Sequence, residues 1–346
     1  MILGIESSCD ESAIALLHKN GNVMGEWIHS QIANHADYGG VVPDVAVREH
    51  MEKFFPLLDH AKHASELSGA VDLIAVTRGP GLIGCLGVGL TMGKTLGNLW
   101  GVPVVGVNHL RGHAFSPFMH LGSSLEQWVG HLPHLGLLVS GGNTILFEVS
   151  KAGQITVLGR TMDDAVGEAL DKGAKLLGLT YPGGAQMEKF AHNGDPDTFK
   201  FPVYQSSKNE ISFSFSGLKT SLLYTLQKMN EAEVRQSFAD LCASYQQAAV
   251  VQLVRQTNAA LKQGTYNSLG LSGGVANNQT LRNRFHALAG DFGIPLLAAG
   301  KKHTGDNAAM IAFAALADPS GTWSDFEGSL NVSPGLRMDD HPSSIP

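Results

Sequence analysis

The 346-residue chain has only three cysteines, Cys9, Cys85 and Cys242, and no C-x-x-C among them. An odd number at wide spacing excludes a disulfide framework and a zinc knuckle, and fits a reducing compartment. A basic surplus is also missing. Lysine and arginine number 24 against 31 aspartates and glutamates, a formal charge of −7, so generic coating of nucleic acid is excluded and any such role must rest on local patches. Long apolar runs are absent: residues 82–92 form the longest stretch, which glycines interrupt and which is too short to span a bilayer. The first residues lack a basic n-region and meet Glu6, Asp10 and Glu11 instead, and the expectation is a soluble, cytoplasmic protein without a membrane association. Aromatics make up 7% and charged residues 16%, whereas 41 residues are glycine and 43% are hydrophobic. That balance describes a turn-rich, enzyme-like chain, and its length predicts two domains.

What is present is a repeated grammar. Residues 2–5 are apolar, residues 7–12 form a polar turn, residues 13–17 are apolar again, and a Lys19-Asn20-Gly21-Asn22 turn leads into residues 23–28. This predicts a three-strand meander with polar groups at the tip of its first hairpin. The pattern returns as residues 135–139, the turn Ser140-Gly141-Gly142-Asn143-Thr144, and residues 145–149 and 155–158. A strand at 71–77 followed by Gly79-Pro80-Gly81 and a helix parallels a strand at 268–271 followed by Ser272-Gly273-Gly274 and a helix starting near Asn277. Residues 102–107 before His109 parallel residues 294–299 before Thr304-Gly305-Asp306. The expectation is an α/β chain duplicated into two lobes, residues 1–130 and 131–346, each a mixed sheet with helices. Their glycine-rich hairpins and helix N-termini would line a central nucleotide cleft. Helices are expected over 45–64 and 232–261, and residues 181–220 as an ordered functional insertion in the second lobe.

Two phosphate-loop motifs fail on inspection. Gly79-Pro80-Gly81-Leu82-Ile83-Gly84 fits G-x-G-x-x-G, but residues 100–108 hold no acidic partner, and Gly93-Lys94-Thr95 has Val88 where a P-loop needs glycine. Ser140-Gly141-Gly142 and Ser272-Gly273-Gly274 are better phosphate candidates, because bare backbone amides at turns approach anions closely. With the polar tip at 7–12 they make the nucleotide-cleft pattern of the actin, sugar kinase and Hsp70 superfamily.

His109 and His113 are spaced to share one helix face, and Asp306 falls at nearly the pseudo-equivalent place in the other half. A His/His/Asp set drawn from both lobes could hold iron or zinc and leave positions open. Leu110 stands where an H-E-x-x-H peptidase needs glutamate, so peptidase chemistry is disfavoured. Residues 163–173 read either as a solvated acidic helix start or as the source of a carboxylate, Asp171, for a ribose diol. Lys189, Lys200, Lys208, Lys219, Arg282, Arg284, Lys301 and Lys302 are scattered and read as ordinary solvation unless the fold gathers them.

Taken together, Gly4-Ile5-Glu6-Ser7-Ser8-Cys9-Asp10-Glu11, Tyr38-Gly39-Gly40-Val41-Val42-Pro43, Asn108-His109-Leu110-Arg111-Gly112-His113, Val139-Ser140-Gly141-Gly142, residues 163–172, Tyr181-Pro182-Gly183-Gly184, residues 213–220 and Thr304-Gly305-Asp306-Asn307 resemble the TsaD family. That resemblance implies an actin-like ATPase (ASKHA) fold. It also implies transfer of a threonylcarbamoyl group from threonylcarbamoyl-AMP to the exocyclic amine of the adenosine 3′ of the anticodon in tRNAs reading ANN codons. By the family pattern, His109, His113 and Asp306 bind one divalent metal, iron(II) in preference to zinc. Leu138, Val139, Ser140, Gly141, Gly142, Asp171, Gly184 and Asn278 bind the adenine nucleotide. Asp10 or Glu11 is the candidate for orienting or deprotonating the amine. The implied partners are tRNA, an inactive TsaB-like paralogue, a small TsaE-like ATPase and a synthase supplying the adenylate. The alternatives are a non-catalytic nucleotide-binding subunit of the same complex and a kinase of the same fold. Asn143 and Asn277 depart from the family motif, which commonly has histidine and alanine there.

Overall fold

The computed structural model describes residues 1–64, 69–206 and 210–344. Lys208 and part of the 181–220 segment fall outside these residues. In chain order the structure forms β1 (Ile2–Glu6), β2 (Glu11–Leu17), β3 (Val23–Ser30), α1 (Ile32–Ala36), α2 (Pro43–Ala64), β4 (Leu73–Gly79), α3 (Ile83–Trp100), β5 (Val104–Asn108), α4 (His109–Phe115) and α5 (Leu125–Trp128). There follow β6 (His134–Val139), β7 (Thr144–Val149), β8 (Ile155–Arg160), α6 (Val166–Leu176), α7 (Gly183–Ala191), α8 (Ser216–Gln227), α9 (Glu231–Gln236), α10 (Phe238–Gln263), β9 (Ser268–Ser272), α11 (Gln279–Asp291), β10 (Leu296–Ala298), α12 (Ala308–Ala317) and β11 (Trp323–Ser324). Among the described residues no helix is long and apolar enough to cross a membrane.

The strand orders carry the duplication. One sheet runs β5-β4-β1-β2-β3 and the other β10-β9-β6-β7-β8, with β11 added beside β5 in the first. In each, an antiparallel meander is followed by two strands that pair in parallel. β1 and β6 are buried along their whole length, as central strands covered on both faces must be, and they read as apolar runs instead of alternating patterns.

The chain divides into residues 1–130 with 299–346, and residues 131–298. The sequence assigns residues 299–346 to the second lobe, but they cluster with the first unit. The cause is α12, Ala-Ala-Met-Ile-Ala-Phe-Ala-Ala-Leu-Ala, apolar at every position. Ala308 and Ala309 pack on Ala13 and Ala15 of β2. Gly4 permits the approach: a Cβ there would stand 2.2 Å from the Ala308 carbonyl oxygen. β11 then pairs antiparallel with β5.

Leu3, Ile5, Ile14, Leu16, Phe54, Val76 and Leu90 belong to the core of the first unit. Leu137, Leu146, Phe213, Phe215, Tyr245 and Phe285 belong to that of the second. Phe213 and Phe215, from the 181–220 segment, are part of that core. The helix expected over 232–261 is two helices. An Asn230/Glu233 capping box opens α9, and the Ser237 N–H closes it on the Glu233 carbonyl at 2.9 Å before α10 begins.

Asp163, although exposed, acts as a clamp. Its Oδ1 accepts the Phe215 N–H at 2.8 Å, and its Oδ2 accepts the Ser214 and Ser216 hydroxyls at 2.5 and 2.7 Å, at the start of α8. Partial burial alone would raise its pKa, but these hydrogen bonds hold it below the ordinary value. Asp163→Ala should cost about 1–2 kcal/mol, the size of a lost helix cap, read as a lower melting temperature. Because the native pKa is depressed, that stabilisation is present above the unfolded carboxyl's pKa and is lost as pH falls through the native one. A melting difference from wild type that did not shrink on acidification would contradict this.

Candidate functional site

α4 begins directly at the end of β5, because Asn108 caps it: its Oδ1 accepts the Leu110 N–H at 2.9 Å. The helix is buried throughout, so His109 and His113, one turn apart, face protein and not bulk water. Asp306 immediately precedes α12, whose cap Asn307 accepts the Met310 N–H at 2.8 Å. His113 Nε2 lies 3.0 Å and His109 Nε2 3.4 Å from Asp306 Oδ1. One donor atom from each of the three lies within 4.8 Å of the others. The set lies entirely in the first unit, so the expectation that Asp306 comes from the opposite lobe is corrected. Packing of α12 on β2 brings it there.

The donors fit a divalent transition metal. Two imidazoles and one carboxylate suit iron or zinc better than magnesium or calcium, and three protein ligands leave positions open. The buried His113 Nδ1 has no hydrogen-bond partner among the described residues. Burial opposes protonation of His109, but Glu6 and Asp306 outweigh it and raise its pKa well above the ordinary value. Burial, helped by nearby His109, lowers that of His113. Burial would raise Asp306, yet the two histidines hold its carboxyl far below the carboxylate range.

Arg111, on the same helix, forms an ion pair with Asp318, its Nε donating at 2.9 Å and its Nη2 closer still. The guanidinium also donates to the Met338 carbonyl at 3.4 Å. The pair is nearly buried, with side chains 5% and 12% exposed. Arg111→Ala strands the Asp318 charge and should destabilise the protein by about 3–5 kcal/mol. A normal denaturation midpoint would contradict that anchoring role.

The hairpin tip at 7–12 is fixed from α2. His50 Nδ1 lies 2.7 Å from the Ser12 hydroxyl, and its Nε2 2.9 Å from the Cys9 carbonyl oxygen. Asp10 is 8% exposed. Glu11 bonds to Asp10 and accepts the Ser30 hydroxyl at 3.2 Å. Burial, then the charges of Asp306 and Asp10, push the Glu11 carboxyl up to about 10. Burial and Asp10 likewise raise the Cys9 thiol, which removes it as a nucleophile at neutral pH.

The residues expected to bind nucleotide gather in the second unit. The Ser140 hydroxyl accepts the Asn143 N–H at 3.0 Å, and the Ser140 N–H donates to the Asn143 carbonyl at 2.8 Å. Between them Gly141 and Gly142 are exposed, neither has a left-handed backbone, and a Cβ on either would meet nothing within 4 Å. Neither conformation nor packing therefore demands glycine at this turn. Gly273 is the opposite case: φ is +88°, and a Cβ would stand 2.2 Å from the Val139 carbonyl oxygen. The start of α6 abuts the turn, the Gly167 N–H reaching the Ser140 carbonyl at 3.2 Å.

Leu138 and Val139 are fully buried at the end of β6 and present no surface to a ligand. Asp171 Oδ1 accepts the Gly184 N–H at 2.8 Å, joining α6 to α7. Burial raises its pKa above the ordinary value, against the hydrogen bonds from Gly184 and Gly183. Asn278 caps α11 through its Oδ1 and donates from Nδ2 to Gln246 at 2.8 Å.

Sequence reasoning gave Glu6 no role. It is fully buried at the end of β1, with Oε2 3.0 Å from His109 Nδ1. A carboxylate closing an apolar strand beside a polar turn was the available signal.

A sequence profile of the family described as "TsaD: tRNA N6-adenosine threonylcarbamoyltransferase" matches residues 22–313. A Trichlorobacter lovleyi protein named tRNA N6-adenosine threonylcarbamoyltransferase is 45% identical over 315 residues, 91% of this chain and 90% of its own. A Pelobacter propionicus protein of the same name is 44% identical over 313 residues, 90% of each chain. The crystal structure of T. kodakarensis HypF shares the fold, with a TM-score of 0.58 at 16% identity, covering 92% of this chain and 48% of HypF. The architecture is thus the actin-like ATPase fold that the duplication predicts. With a profile spanning most of its length and relatives this close over nine tenths of it, the chain belongs to the TsaD family.

Proposed function

We propose that this protein transfers the threonylcarbamoyl group from threonylcarbamoyl-AMP to the exocyclic amine of the adenosine 3′ of the anticodon in tRNAs reading ANN codons. The carrying observation is identity of 44–45% over about nine tenths of the chain to proteins named for that transfer. The amine nitrogen bonds to the carbamoyl carbon, the carbon–oxygen bond to phosphate breaks, and AMP leaves with the electron pair.

His109, His113 and Asp306 hold one divalent metal, iron(II) in preference to zinc, as befits two imidazoles and a carboxylate with open positions. When bound, the metal supplies Lewis-acid polarisation of a phosphate or carbonyl oxygen. The Gly141 and Gly142 amides hold the adenylate phosphate, and the Asp171 carboxylate accepts from the ribose. Ser140, Gly184 and Asn278 keep that turn and its helices in place, and Leu138 and Val139, the buried end of β6, lead into it. Asp10 or Glu11, adjacent at the hairpin tip, accepts the amine proton.

The adenylate comes from a separate synthase, and a TsaB-like paralogue and a TsaE-like ATPase assist an acidic chain in holding tRNA, all in the cytoplasm. Depletion of the protein followed by mass spectrometry of tRNA nucleosides should show threonylcarbamoyladenosine replaced by adenosine. Undiminished threonylcarbamoyladenosine would overturn the reading.

A further inference from the structure

We propose that Glu6 is the positioning residue of the metal centre, holding His109 in the tautomer whose Nε2 is free to ligate. This inference rests on the metal reading above. Glu6 Oε2 lies 3.0 Å from His109 Nδ1, and the Ser8 hydroxyl is the other polar group near that nitrogen, at 3.3 Å. When a metal takes the place of the Nε2 proton, the proton that remains is on Nδ1, donated to the nearer, charged acceptor. Nε2, the nitrogen that faces Asp306, is then the one that ligates.

The carboxylate is itself held from two sides. Its Oε1 accepts the Ser8 N–H at 2.6 Å and its Oε2 the Thr77 hydroxyl at 2.6 Å. Three donors surround a fully buried charge, an arrangement that leaves the carboxylate little freedom to rotate and that fixes the imidazole plane with it. His113 has no equivalent: its Nδ1 is buried without a partner among the described residues. The charged outer hydrogen bond from Glu6 therefore orients His109 and has no counterpart at His113 among the described residues. Outer carboxylates of this kind raise ligand basicity, and their loss typically weakens metal binding about 10–100-fold.

Two measurements test it, neither relying on transfer activity. In zinc(II)-loaded wild-type protein, nitrogen-15 chemical shifts of the His109 ring should report metal on Nε2 and a proton on Nδ1. Metal on Nδ1 would overturn the proposal, whatever any variant does. Competition titration with cobalt(II) should then give about 10–100-fold weaker binding for Glu6→Gln. An unchanged affinity in folded Glu6→Gln would overturn it too. Asp306→Asn in the same titration separates the two ideas. Wild-type affinity there would remove the metal centre itself, whereas loss there with full binding in Glu6→Gln would remove only the role of Glu6.

Discussion

Asp306→Asn is expected to lose bound metal and threonylcarbamoyl transfer together, both to background, while the protein stays folded. Asp306 brings its Oδ1 to 3.0 and 3.4 Å from the two histidine Nε2 atoms and is the one anion of the ligand set. The two histidines hold its carboxyl ionised against burial, and an amide of the same shape cannot supply that charge. Three protein ligands leave no spare to substitute. The fold should tolerate the change because the side chain is 22% exposed and the unit has its own core. His109→Ala is a poorer variant, since it takes one of three donors from the fully buried Glu6 carboxylate and adds a stability loss. Metal content, melting temperature and modified-nucleoside yield decide the matter. Transfer at the wild-type rate by metal-free Asp306→Asn would assign the chemistry to Asp10 and Glu11 alone.

Gly141→Val is expected to weaken adenylate binding roughly 100-fold, the loss of about 3 kcal/mol from charge-assisted amide hydrogen bonds to the phosphate. The substitution should leave stability nearly unchanged. Gly141 has no left-handed backbone and open space on its Cβ side, so the methyl groups displace a ligand and no protein atom. Gly273→Val is the contrasting variant. There φ is +88° and the Val139 carbonyl oxygen blocks a Cβ, so it should damage folding before binding is at issue. Calorimetric titration with AMP compares the two, and wild-type affinity in Gly141→Val would remove the phosphate role of the turn.

The duplication was legible because strand runs and turn residues are local signals, and β3-β2-β1-β4-β5 matches β8-β7-β6-β9-β10. His109 and His113 were legible because spacing on one helix is enough to place them together. The lobe of Asp306 was not legible. It depends on where α12 docks, and a helix apolar on every side has no polar face to say which sheet it covers. Asp163 misled for a related reason. Within its own segment it resembles a solvated helix start, and only Ser214, Phe215 and Ser216, some 51 to 53 positions later, reveal the clamp. Glu6 depends on Thr77 and His109, 71 and 103 positions away, so periodicity is silent about it. The raised pKa of the Glu11 carboxyl is set by burial and by Asp306 and Asp10, and no motif encodes it.

The most direct measurement supplies the purified protein, alone and with the proposed TsaB-like and TsaE-like subunits added, with iron(II), threonylcarbamoyl-AMP and an unmodified ANN-reading tRNA transcript. AMP release and threonylcarbamoyladenosine are then counted by mass spectrometry. The account predicts one modified adenosine, 3′ of the anticodon, for each AMP released in the presence of tRNA, and neither product with Asp306→Asn. AMP release that tRNA does not increase, with the adenosine left unmodified, would contradict it.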